Sequence, residues 1–238
     1  MSFLVLYINF FLFLAVFAIA LTRNSNFNTV LVGFIYLMPL IPLGFNPAHI
    51  DRFLLVSCFN FIFGTIEIVV FVLTVKPGDT PFDKSHFKQL FGHTLPIAIA
   101  LLGLSFFGRI NELPVSKEEL WFTVGLFTFG AIMRIVAIYQ IGAVAFKFDI
   151  VFRQEQKLKT DQLYGLMRHP SYTAMMIVII SFAVITHSLV FGALGVACAW
   201  IGFQYRIYYE EKGLADQFGA EYEVFRSSKG MWLPRIIQ

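Results

Sequence analysis

Five ionisable side chains in the last third of the chain have types and spacing suited to holding a small charged molecule. They are Arg168, His169, Arg206, Glu210 and Glu211. Arg168 and His169 stand directly before Pro170, and a proline there suits the first turn of a helix. Cationic side chains and free backbone N–H groups would then meet at one helix N-terminus, which attracts a carboxylate or phosphate. Taken alone, an Arg-His pair beside a membrane more often just meets lipid headgroups. His169 is the only one of five histidines in a charged cluster. Arg206 and Glu210 are four residues apart and share a helix face, whereas Glu211 points about 100° away from Glu210.

The elements that must bring these two sets together are apolar. Of the 238 residues, 58% are hydrophobic, 14% are charged and 29 are phenylalanine. Soluble domains carry roughly 25% charged residues, so this deficit, with a mean hydropathy of +0.72, implies an integral membrane protein. The net charge of +3 is too small to suggest nucleic acid as a partner. Cys58 and Cys198 lie inside apolar runs and are expected to be buried thiols. No metal-binding set is assigned.

A spanning helix needs about 20 mostly apolar residues. Stretches near 2–22, 29–45, 53–75, 93–107, 120–146, 172–187 and 189–205 qualify or come close. The first is expected to be a span rather than a removed signal, since no positive residue precedes it. The expected fold is therefore all-α and polytopic, with about seven transmembrane helices, six being the alternative. Only His187 and Ser188 separate the last two, which must form a tight helical hairpin. Its arms are similar in length, so the chain returns to the side it left, and Arg168 and His169 meet Arg206, Glu210 and Glu211 on one surface.

Fourteen of the 18 Lys and Arg residues fall in one set of loops and three (Arg52, Arg109, Lys117) in the other. The bias places the C-terminal tail and the polar cluster in the cytoplasm, across a bacterial inner membrane or the endoplasmic reticulum. Glu67 and Arg134 lie within spans at similar depth and are expected to pair, because an unpaired charge there is costly. Small residues at Ala193/Ala197 and Gly195/Ala199 mark a tightly packed helix. Leu214, Phe218, Tyr222 and Phe225 share one face of an expected amphipathic helix along the cytoplasmic surface.

A pocket mixing cations and carboxylates suits a zwitterion. The aminoacyl end of S-adenosylmethionine is one, and Tyr164, Tyr172 or Tyr208 would face its sulfonium. The pattern Leu158, Thr160, Tyr164, Arg168-His169-Pro170, Tyr172, followed by Arg206, Glu210-Glu211, Leu214 and by Phe218-Gly219, Glu221-Tyr222 and a late proline, resembles the isoprenylcysteine carboxyl methyltransferase family, itself related to membrane phospholipid methyltransferases. The resemblance covers roughly 146–234. It implies S-adenosylmethionine as cofactor, with a lipophilic acceptor (isoprenylcysteine carboxylate-like, or another lipid or small hydrophobic molecule) arriving from the membrane lipids. It also implies that Leu158, Tyr164, Arg168, His169, Tyr172 and Glu211 line the cofactor site and that Arg206 and Glu210 are catalytic. Gln156 stands where the family commonly has His, and it can still donate a hydrogen bond to the cofactor. Gln162-Leu163 replace Gly-Pro, and Ala174 replaces Gly. Residues 1–145 are then a scaffold with possible acceptor access, and 146–238 the methyltransferase core. Two other readings compete: an NADPH-dependent reductase of the sterol reductase type, and a non-enzymatic membrane protein that kept the fold.

Overall fold

Backbone groups in lipid must be paired within the protein, and helices do this segment by segment. The computed structural model describes residues 2–43, 50–74, 84–145 and 157–235, with the backbone alone at 2, 84–86 and 143–145. Its elements are α1 (Ser2–Arg23), α2 (Phe27–Leu37), α3 (Asp51–Thr74), α4 (Lys84–Gln89), α5 (Leu95–Ile110), α6 (Lys117–Ala145), α7 (Gln162–Leu166), α8 (Pro170–Ile185), α9 (Leu189–Phe218) and α10 (Ala220–Ser228). Among the described residues the protein is all-α, with a single isolated bridge between Met167 and Gly230.

Five stretches are long and apolar enough to cross a membrane: Phe3–Arg23, Asp51–Thr74, Phe87–Ile110, Lys117–Gly142 and Leu189–Phe218. Phe27–Leu40 and Pro170–Ile185 are apolar but shorter. The second and sixth expected spans are thus helices that fall short of the ~20 residues a crossing needs. Pro39 explains the first case: α2 tightens into a 3-10 turn at Met38–Leu40. The fourth is longer than expected, because a π-helical turn at Leu90–Thr94 joins α4 to α5. Pro96 follows that turn and cannot donate to the preceding backbone. The fifth opens at Lys117 and is broken at Gly142, whose φ of 78° and ψ of 155° leave the helical region.

The core is built from aromatic rings. Phe59 stacks on Phe127 at 3.9 Å between centroids, and Phe182 meets Phe59 edge-on at 5.8 Å. Leu4, Phe11, Phe122, Phe129 and Leu194 are exposed, which suits a surface facing lipid. Close helix crossings rely on small residues. A Cβ at Gly130 would lie 3.0 Å from the Ala174 carbonyl, so α6 and α8 touch backbone to backbone. A Cβ at Gly202 would lie 2.9 Å from the His93 carbonyl, and one at Gly195 2.5 Å from Leu104. The packed stripe of α9 is therefore Gly192, Gly195, Ala199 and Gly202, whereas Ala193 and Ala197 face outward. Cys58 and Cys198 carry free thiols and are half-buried rather than enclosed.

The turn between α8 and α9 is tight, as expected, with His187 at a φ of 47°. It is clasped from two sides. Arg52, only 1% exposed, pairs both guanidinium nitrogens with Glu119 and donates 2.9 Å to the Ile185 carbonyl. It also reaches the carbonyls of Leu113 at 2.7 Å and Pro114 at 3.1 Å. Asn111 donates 2.8 Å to the Thr186 carbonyl. Carbonyls at the end of α8 that a helix cannot satisfy itself thus find partners.

The expected amphipathic helix is divided. Leu214 and Phe218 belong to α9, which runs 30 residues, and Tyr222 and Phe225 are the buried face of α10. Gly219, at a φ of 52°, makes the break. At ~1.5 Å per residue α9 is about 45 Å long, well over the ~30 Å hydrocarbon layer. Its second half therefore carries Arg206, Glu210 and Glu211 out of the apolar layer.

Candidate functional site

Glu211 is the centre of one half of the site. Its carboxylate is 2.7 Å from Arg168 Nη1 and 3.0 Å from His169 Nε2, both at Oε1. Arg226 of α10 approaches Oε2 at 3.7 Å. His169 and Glu211 are buried. Two stretches far apart in sequence, the start of α8 and the second half of α9, are thus joined by an ion pair from Arg168 and a hydrogen bond with His169 at one carboxylate oxygen.

The C-terminal tail holds the start of α8 in place. Arg168 N donates to Gly230 O at 2.9 Å and His169 N to Met231 O at 3.1 Å. Thr173 Oγ1 donates to Trp232 O at 2.8 Å. Trp232 in turn stacks on Trp200 of α9, with centroids 4.8 Å apart. The N–H groups of Arg168 and His169 are therefore bonded to the tail. The expectation that they stand free to receive an anion is corrected, because the tail supplies carbonyls where the helix has none.

Tyr172 is the centre of the other half. Its hydroxyl donates to Glu210 Oε2 at 2.5 Å and accepts from Arg206 Nε at 2.6 Å. One phenol thus bridges the two residues that share a face of α9. The guanidinium of Arg206 also lies 5.9 Å from the Tyr172 ring centroid. Tyr172 and Arg206 are buried. The rings of His169 and Tyr172 are 5.6 Å apart, so the two halves adjoin.

Tyr164 sits on α7, buried, with its hydroxyl 3.4 Å from the Ala137 carbonyl of α6. Burial, with the nearby Glu210 charge adding to it, pushes its phenol well above the usual tyrosine range. Tyr164 therefore stays a neutral donor. Burial does the same to Tyr222 on α10, helped by Glu211. Leu158 is half-buried in the stretch without regular structure before α7. Tyr208 is 64% exposed, so of the three tyrosines considered as ring partners, Tyr164 and Tyr172 are the enclosed ones. Gln156 lies outside the described residues.

The structure also brings in residues that the sequence did not single out. Gln140 Oε1 accepts from Leu163 N at 3.1 Å and ties α7 to α6. Its signal was a polar residue near the end of an apolar run. The Glu67–Arg134 pair forms as expected, with Arg134 Nε 2.8 Å from Glu67 Oε1. Its further contact with Ser171 was not foreseen, since a serine inside a His-Pro-Ser-Tyr run carries no sign of a partner on another helix.

The model of the isoprenylcysteine carboxyl methyltransferase family matches residues 123–216. Protein-S-isoprenylcysteine O-methyltransferase B of Arabidopsis thaliana is 30% identical over 131 residues, 53% of this chain and 66% of that protein. Protein-S-isoprenylcysteine O-methyltransferase A of the same plant is 29% identical over 144 residues, 59% of this chain and 73% of that protein. A probable protein-S-isoprenylcysteine O-methyltransferase of Oryza sativa subsp. indica is 32% identical over 124 residues, 50% of this chain and 65% of that protein. The chain spans about two thirds of the length of these relatives. Arg168, His169, Tyr172, Arg206, Glu210 and Glu211 all fall inside the matched residues.

Proposed function

Residues 123–216 of this chain belong to the isoprenylcysteine carboxyl methyltransferase family, and from that premise we propose that the protein is a multi-pass membrane methyltransferase that uses S-adenosylmethionine on a lipophilic acceptor. The observation that carries this reading is the Arg206–Tyr172–Glu210 bridge, set beside the Arg168–His169–Glu211 cluster. The relatives named above carry isoprenylcysteine in their names, which makes a prenylated cysteine carboxylate the first acceptor to test.

The residues present fit such a donor. Arg168 Nε is buried without a hydrogen-bond acceptor among the described residues, a donor that suits a carboxylate. Glu211 and Glu210 offer oxygens to an ammonium, and the buried rings of Tyr164 and Tyr172 suit a neighbouring positive charge. When bound, the donor supplies a methyl group on a cationic sulfur, which departs as a neutral thioether as an acceptor atom takes the methyl.

In this reading Arg168, His169, Tyr164, Tyr172 and Glu211 hold the donor, together with Leu158 and Gln156 from the preceding stretch. Arg206 orients the acceptor oxygen, and Glu210 through Tyr172 keeps the guanidinium aimed. A carboxylate acceptor needs no base. An amine or thiol acceptor must lose a proton, and Glu210 can take it. Most of the rate comes from alignment in a site poor in water. The bias of Lys and Arg toward one set of loops supports a cytoplasmic site, with residues 1–145 serving as scaffold and acceptor access and 146–238 as the core.

Calorimetry on detergent-purified protein tests this directly. S-adenosylhomocysteine binds and NADPH does not. Arg206→Ala and Glu210→Ala express and fold but lose transfer of labelled methyl to an S-prenylated N-acetylcysteine, or to the acceptor found by a wider screen. NADPH binding without S-adenosylhomocysteine binding would overturn the reading in favour of a reductase.

A further inference from the structure

Arg134 is a buried cation with two tasks. Its Nε and Nη2 atoms lie 2.8 and 2.9 Å from the two carboxylate oxygens of Glu67. Its Nη1 donates to Ser171 Oγ. Arg134 is 3% exposed, Glu67 5% and Ser171 6%. Ser171 lies in the first turn of α8, next to Tyr172, whose hydroxyl joins Arg206 to Glu210. The close approach of α6 and α8 at Gly130 and Ala174 lies one turn away and brings Arg134 level with Ser171. One turn further along α6, the Ala137 carbonyl accepts from Tyr164.

A fork to Glu67 alone would neutralise both charges. The third contact goes to the element that presents Tyr172, and only a planar guanidinium with several donors can serve two helices at once. Such an anchor is stiff. Moving it would leave a buried charge unpaired in the apolar layer, which is costly. Glu67 lies outside the residues matched by the family, so through this contact a helix of the unmatched part of the chain reaches the site.

We infer that Glu67 and Arg134 are a positioning pair for the candidate site: Glu67 aims the guanidinium, and Arg134 holds Ser171 and with it the turn from which Tyr172 reaches Arg206 and Glu210. The inference rests on the methyltransferase reading, which gives Tyr172 its task.

The variant that isolates the link is Ser171→Ala, because it leaves the Glu67–Arg134 fork intact. Ser171→Thr keeps the hydroxyl. Each is compared with wild type by S-adenosylhomocysteine affinity in calorimetry and by thermal unfolding, both in detergent. The expected result is at least a tenfold loss of affinity in Ser171→Ala with an unfolding temperature close to wild type, and recovery to within threefold in Ser171→Thr. Arg134→Lys, which keeps the charge but not the fork, loses affinity at least as much. Wild-type affinity in Ser171→Ala overturns the inference, and so does a loss that tracks the unfolding temperature without recovery in Ser171→Thr. If wild-type protein binds no S-adenosylhomocysteine, the functional reading fails first and this inference falls with it. The two failures are thus told apart in the wild-type trace.

Discussion

Tyr172 shows how much chemistry a single hydroxyl organises. It donates to Glu210 and accepts from Arg206, so its removal takes one hydrogen bond from each of them. Tyr172→Phe keeps the ring, which packs 5.7 Å from Phe203, and removes only the bridge. We expect methyl transfer to fall by about 10²-fold, in the range that positioned polar groups contribute, with stability lowered by only ~1–3 kcal/mol. Initial rates with labelled donor and thermal unfolding check the two figures separately. The sequence pointed to Arg206, Glu210 and Tyr172 by type and motif. It placed Tyr172 with the cofactor and the other two with the chemistry, whereas the structure joins all three through one oxygen. That link depends on α8 and α9 lying side by side, a distance no spacing along the chain encodes.

At the scale of elements, the hairpin of α8 and α9 is held at both ends by side chains and tail rather than by its own turn. Arg52 on α3 had been counted among loop cations, yet it is enclosed and bonded to Glu119 and to three carbonyls. Arg52→Ala leaves Glu119 without its main cation and Ile185 without its donor. A loss of about 3–5 kcal/mol follows from breaking one partner of a buried pair, read as a large drop in unfolding temperature. Arg52→Lys recovers little, because an ammonium cannot match the fork. At the opposite end, ending the chain before Gly230 removes the carbonyls that receive the N–H groups of Arg168 and His169. That truncation should leave the transmembrane helices assembled in size-exclusion profiles and weaken S-adenosylhomocysteine binding at least tenfold. Arg52 and the tail escaped sequence reading because most of their contacts run through backbone groups, which every residue possesses and no motif distinguishes.

For the whole molecule, the two clusters lie at opposite ends of one hairpin, the Arg52–Glu119 clasp at its turn and the Arg206–Tyr172–Glu210 bridge at its open end. A membrane around the five long apolar helices is expected to leave the two clusters on opposite sides. A cysteine introduced at Glu112, in the α5–α6 loop, and one at Lys229, in the tail, should be labelled from opposite sides of sealed vesicles by an impermeant reagent. From the bias of Lys and Arg, Lys229 is expected to be the one labelled from the cytoplasmic side. Labelling of both from the same side would refute the arrangement of the hairpin across the bilayer.

The sequence by itself determined the solvent and the side-chain types available to the candidate site. An apolar, charge-poor chain can satisfy its backbone in lipid only as helices, and the charged side chains at Arg168, His169, Arg206, Glu210 and Glu211 were legible as a cluster. The Glu67–Arg134 pair was legible too, because a charge inside a span must find its opposite. Tertiary structure alone decided which helices stop short, where Gly219 divides the last amphipathic stretch, and that the tail closes over the start of α8. It also decided that Arg134 extends its reach to Ser171. Those features turn on distances between helices. Such distances follow from how glycines and phenylalanines pack against one another, a property of the assembled helices and not of any one segment.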